Sequence, residues 1–149
     1  MKPREVALNV TVLAGLIAKV AAPRVPLTLL TFAGEANDAL FFLLQILNVE
    51  HFVVDTQIAK SGGCFPYDAE YPYSHSLVGI AAAGVVLALC HACTTRGPVR
   101  PIDLLAIFGC AVTHFVLEWP AHRADVQIVP GDSAHIGNCL LYTSDAADE

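Results

Sequence analysis

The sequence predicts an all-α protein, a polytopic transmembrane helix bundle with three long spans and one short N-terminal helix. Three observations lead there. Hydrophobic residues make up 55% of the 149 and charged residues only 15%, with a mean hydropathy of +0.57, which is too apolar for an ordinary soluble domain. The apolar residues gather in runs of about 18 to 25, the length that crosses roughly 30 Å of hydrocarbon. The basic residues, finally, concentrate in alternate connections between those runs.

The first run, Leu8 to Ala22, is short. It fits a tilted span, a re-entrant helix or the apolar part of a signal peptide behind Lys2 and Arg4. Lys19 interrupts it before any clear cleavage site, which favours a retained helix. The second, Val25 to Val49, is apolar apart from Glu35, Asn37, Asp38, Gln45 and Asn48. The connection 50–73 carries Glu50, Asp55, Asp68 and Glu70 against Lys60 alone. The third run covers His75 to Thr94, with Ser74 as its expected N-cap. The fourth covers Ile102 to Trp119, and Pro120 is expected to end it. Lys19 to Arg24 and Arg96 to Arg100 are basic, so the positive-inside rule makes those short connections cytoplasmic and 50–73 external. Tyr67, Tyr71, Tyr73 and Trp119 then fall near the external interface, where amphipathic rings sit.

Residues 1–138 read as one helical domain, without internal repeats. The last eleven, CLLYTSDAADE from Cys139 to Glu149, begin no further span. They resemble the translated read-through of a transposon adapter used in sequencing-library preparation. The expectation is therefore a natural chain cut short near Asn138 and a non-native tail.

A net charge of −6 leaves no basic face for a nucleic acid. The five cysteines lack the spacing of a disulfide framework. Cys90 and Cys93 form a CxxC inside an apolar run, where small residues serve helix packing more often than redox chemistry.

Ionisable groups at membrane depth are costly and mark functional sites by default. THFVLEWPAHR, residues 113–123, sets His114, Glu118 and His122 four apart, on one helical stripe. Glu35 and Asp38 share a face of the second run, and His75 stands at the external mouth of the third. In the predicted topology Asp38, His75, His114, Glu118 and His122 can meet in the external half of the bundle. Two or more imidazoles with carboxylates suit zinc or another first-row divalent ion. Asp38 and Glu118 are the candidates for general-base work, and Arg123 for holding an anionic substrate group. Plainer readings stand beside this one. His114 and Glu118 can be an interhelical hydrogen-bonded pair, Asp38 can pair locally with Asn37 and Glu35, and His75 can be an ordinary first-turn residue. His51, His91 and His135 read as structural or interfacial. The spacing lacks the two-histidine turn of HExxH proteases.

Taken together, ANDALF (36–41), YPYSHSL (71–77) and THFVLEWPAHRAD (113–125) resemble a family of bacterial membrane proteins related to membrane-bound metal-dependent hydrolases. The resemblance covers about residues 14–137. It implies a metal site at Asp38, His75, His114, Glu118 and His122, followed by Arg123 and Asp125. It also implies a place in the bacterial inner membrane, in contact with lipid. The wider group is similar to zinc-dependent phospholipase C and P1-type nuclease folds, which implies phosphoester chemistry on a small-molecule or lipid substrate. Two positions depart from the family pattern. Thr11 lies near the place of an early Gly-His pair, and Glu118 stands where the acid is commonly Asp. The alternative from another class is a non-enzymatic membrane protein that uses these residues for metal or proton binding and transport, or for helix packing.

Overall fold

The computed structural model describes residues 3–54, 67–122, 124–133 and 135–137. Four helices dominate: α1 (Pro3–Ala21), α2 (Leu27–Ile46), α3 (Leu77–Thr94) and α4 (Pro101–Ala121). The last three are long and apolar enough to cross a membrane, so the predicted bundle is the architecture found: three spans and an N-terminal helix whose apolar part, Thr11–Ala21, is shorter. Arg123 and the tail 139–149 lie outside the described residues.

Burial runs opposite to that of a water-soluble domain. Leu13, Ile17, Phe42, Leu43, Ile46, Val86, Leu89, Leu105 and Val116 are all exposed, whereas Asn37, Glu50, Ser74, His75, Ser76, Asp103 and His114 are buried. In water that inversion would leave a large apolar surface wet. In a bilayer it is the expected order, with apolar side chains toward lipid and ionisable ones toward protein.

Two details of the helix ends differ from expectation. Ser76, not Ser74, caps α3: its Oγ accepts a hydrogen bond from Gly79 N at 3.1 Å. Pro120 does not end α4, which runs to Ala121, and His122 N still donates to Glu118 O at 2.8 Å. A proline in the last turn removes only its own donor, and the chain beyond it can continue the bonding. The connection 50–73 is more ordered than a loop at its two ends. There β1 (His51–Val54) pairs antiparallel with β2 (Tyr67–Glu70), His51 opposite Glu70. A second short pair joins β3 (Val126–Gln127) to β4 (His135–Ile136).

Packing divides the chain into two compact units, Met1–Ala39 with Ile80–His114 and Leu40–Gly79 with Phe115–Glu149. Helices α2, α3 and α4 each run from one unit into the other. The first unit has an apolar core of Ala22, Val25, Leu30, Ala33, Ala88, Ile107 and Cys110. Small residues bring its helices close. A Cβ on Gly84 would sit 3.0 Å from the Ala111 Cβ, and one on Gly34 would sit 3.3 Å from the Thr11 Cβ. Close backbone approach of this kind substitutes, in lipid, for the hydrophobic drive that apolar solvent removes. In the second unit Phe41, Phe52, Tyr71 and His75 form an aromatic cluster with ring centroids 4.9 to 6.2 Å apart. Val78 N donates to Ile128 O at 3.1 Å, tying the start of α3 to the segment after β3.

Candidate metal centre

In the second unit the site is built around the turn YPYSHS. The carboxylate of Glu50 is fully buried. It accepts hydrogen bonds from Tyr73 N at 2.7 Å, Ser74 N at 2.9 Å and the Ser74 hydroxyl at 2.5 Å. The same Ser74 oxygen lies 2.7 Å from His75 Nδ1. A hydroxyl has one proton, and here the carboxylate takes it. Ser74 Oγ must then accept from His75 Nδ1–H, which leaves the Nε2 lone pair of a neutral His75 directed at Glu118 Oε1, 3.4 Å away.

The first unit repeats the logic with other means. His114 Nδ1 lies 2.8 Å from the Gly34 carbonyl oxygen, which can only accept. The proton of a neutral His114 is thereby held on Nδ1, and Nε2 turns its lone pair toward Asp38 Oδ1 at 3.6 Å. Each imidazole thus meets a carboxylate lone pair to lone pair, a repulsive arrangement that a cation relieves. The cation can be a proton on each histidine or a metal ion serving both.

His114 and Glu118 are one turn apart on α4. Asp38, His75, His114 and Glu118 each offer one ligand atom, and these atoms all lie within 4.8 Å of one another. A common centre with bonds of roughly 2 Å to each atom is compatible with that spread. The group can hold a metal ion.

No family model, no curated protein and no solved structure matches the chain.

His122 is not in the group of four. Its Nε2 lies 3.5 Å from the same Glu118 oxygen. Its Nδ1 is 2.8 Å from the Tyr71 hydroxyl and 3.2 Å from Asp125 Oδ1. Burial pulls its pKa down, but the hydrogen bonds and charges of Asp125 and Glu118 outweigh that and push it up to about 10. A protonated imidazole has two donors, so a charged His122 can donate to the Glu118 carboxylate.

The other polar residues distribute differently from the sequence reading. Asp38 Oδ1 lies 3.6 Å from His114 Nε2. Glu35 instead accepts a short hydrogen bond from the Thr11 hydroxyl. Among the remaining histidines, the exposed His135 pairs with the Gln127 side chain at 3.2 Å, and His91 with Thr95 at 3.4 Å. Glu50 was not legible as a site residue, since an acid at the end of a span reads as a loop charge. It reaches the turn it holds only after the chain has folded back, across more than twenty residues of sequence.

Proposed function

We propose that the chain is an integral membrane protein that binds a divalent metal through Asp38, His75, His114 and Glu118 and hydrolyses a phosphoester there. The observation that carries this reading is the gathering of four ligand atoms within 4.8 Å, with Nδ1 of both histidines already engaged. Metal-bound histidines have this second hydrogen bond almost without exception, because it fixes the tautomer and the ring orientation. A mixed nitrogen and oxygen set suits zinc or a neighbouring first-row ion. When bound, such an ion supplies an acidified water and a polarised phosphoryl oxygen. The chain's own residues do the rest. His75 and His114 present lone pairs, and Asp38 or Glu118 takes the proton that the attacking water loses as its oxygen bonds phosphorus and the ester oxygen departs. His122, held as a cation, orients Glu118, and Arg123 follows it in sequence as a second positive group for an anionic substrate. The resemblance to membrane-bound metal-dependent hydrolases supports the same reading, in a bacterial inner membrane with the site toward the outer leaflet and its lipids.

One observation favours a second reading. Thr11 stands near the place of a family histidine, and its hydroxyl is committed to Glu35. With one ligand fewer, the same residues would bind and pass a metal or a proton without turnover.

Elemental analysis of the detergent-purified protein separates these. The hydrolase reading expects stoichiometric transition metal, lost in His114→Ala, and cleavage of a chromogenic phosphodiester that stops on chelation and returns with added Zn2+. Protein free of metal in both forms would sink it. Bound metal without cleavage of any phosphoester would support the second reading.

A further inference from the structure

Asn37 is fully buried, and neither its Nδ2 nor its Oδ1 has a hydrogen-bond partner. In a bilayer-spanning helix this is an expensive residue, since a buried amide without partners forgoes both water and protein. A leucine at this position would carry no such penalty. Its position is informative. Asn37 continues the buried stripe of Leu30, Ala33 and Gly34 on α2, at the helical spacing that keeps one face inward. Gly34, one turn before it, offers the carbonyl that His114 Nδ1 reaches. Asp38, next after it, faces His114 Nε2. Asn37 thus lies on α2 between the two residues that meet His114, on the helix's buried face.

We infer that Asn37 is a ligand-contacting residue of this site, and that its partner is the substrate's phosphoryl group: Nδ2 donates to a phosphoryl oxygen, and Oδ1 accepts from a hydroxyl or water beside it. The inference rests on the proposed metal-dependent reading for the identity of the ligand, but not for the need of one. A carboxamide suits this place where a lysine or arginine would not. It adds a donor and an acceptor without a second positive charge that would compete with a metal for Asp38. It also stays neutral at every pH, so the site's charge balance is left to the histidines and carboxylates.

Asn37→Leu and Asn37→Ala test this in the full chain in detergent, with Co2+ as the metal and inorganic phosphate as the ligand. The expected result is Co2+ uptake close to wild type and phosphate affinity weaker by about tenfold or more, the loss of one hydrogen bond to a charged group. Phosphate affinity equal to wild type in either folded variant overturns the inference. Should Asn37→Leu fail to fold, Asn37→Ala decides by the same titration. Should the wild type take up no Co2+, the metal reading fails by itself, and the Tm of the metal-free proteins decides Asn37. A Tm for Asn37→Leu at or above wild type upholds a residue kept for a ligand, and a lower one overturns it in favour of a structural role.

Discussion

At the scale of single residues, the feature with most consequence is the Glu50–Ser74–His75 chain. Its members depend on each other, because Ser74 can accept from His75 only while its own proton goes to Glu50. Ser74→Ala should therefore act twice. It leaves one buried Glu50 oxygen short of a donor, for a loss of about 1–3 kcal/mol in stability, and it releases the His75 ring, for about a 10–100-fold loss in metal affinity. Thermal melts and a Zn2+ competition titration read the two effects separately. Ser74→Thr keeps the hydroxyl and is expected to retain most of the affinity. A fall in Tm with unchanged metal affinity would show that the chain supports the turn and not the histidine.

This chain also marks the limit of what a sequence reveals. His75, His114 and Glu118 stood out because an imidazole or a carboxylate inside an apolar run is costly wherever it points. Glu50 and Asn37 did not stand out. A charge at the edge of a span looks like any loop residue, and an asparagine beside an aspartate looks like its local partner. Both readings turn on which side of a helix or turn faces inward, and that depends on contacts between segments far apart in the chain. The serine exchange has the same origin. Ser74 and Ser76 are equally good caps by type, and the buried Glu50 carboxylate draws one of them away.

At the scale of elements, the helices followed from hydropathy alone, whereas the short strands did not. Runs of four residues such as His51–Val54 and Tyr67–Glu70 carry too little periodicity to be told from loop. The entry to α3 is the least tolerant junction. A Cβ on Gly79 would fall 1.7 Å from the Tyr73 carbonyl oxygen, which neither the turn nor the helix can yield without moving. Gly79→Ala is expected to destabilise by several kcal/mol, on the order of 3 or more, and to displace His75 with the turn. Gly109 is the control inside α4, since its added Cβ would meet nothing within 4 Å. Gly109→Ala should be neutral or stabilising by about 0.5–1 kcal/mol. Melting both variants side by side checks the pair, and an unaffected Gly79→Ala would contradict the close approach.

At the scale of the whole molecule, the charge pattern makes a statement about sidedness. Residues 95–100 precede α4 and residue 124 follows it, so one span separates them. In a variant whose five cysteines are replaced by serine, a membrane-impermeant maleimide applied to intact cells should label Ala124→Cys and spare Thr95→Cys. The reverse pattern would invert the topology and put the candidate site on the cytoplasmic side. Labelling of both would mean that α4 does not span. The same inside-out burial predicts that the protein needs detergent or lipid to stay monodisperse, because Leu13, Ile17, Phe42, Leu89 and Leu105 are all exposed.

The hydrogen bond from His114 to the Gly34 carbonyl has a consequence for how this site can drift over generations. A histidine oriented by another side chain loses its guide to one substitution, but every residue type keeps the main-chain oxygen. No replacement at position 34 deletes the acceptor; it can only move it, by pressing a new Cβ against Thr11 at 3.3 Å and the Cys110 carbonyl at 3.6 Å. The orientation of His114 is thus shielded from chemical change and open only to steric change. In related chains the tolerated alphabet at positions 11 and 34 should accordingly shrink by size long before it shrinks by polarity.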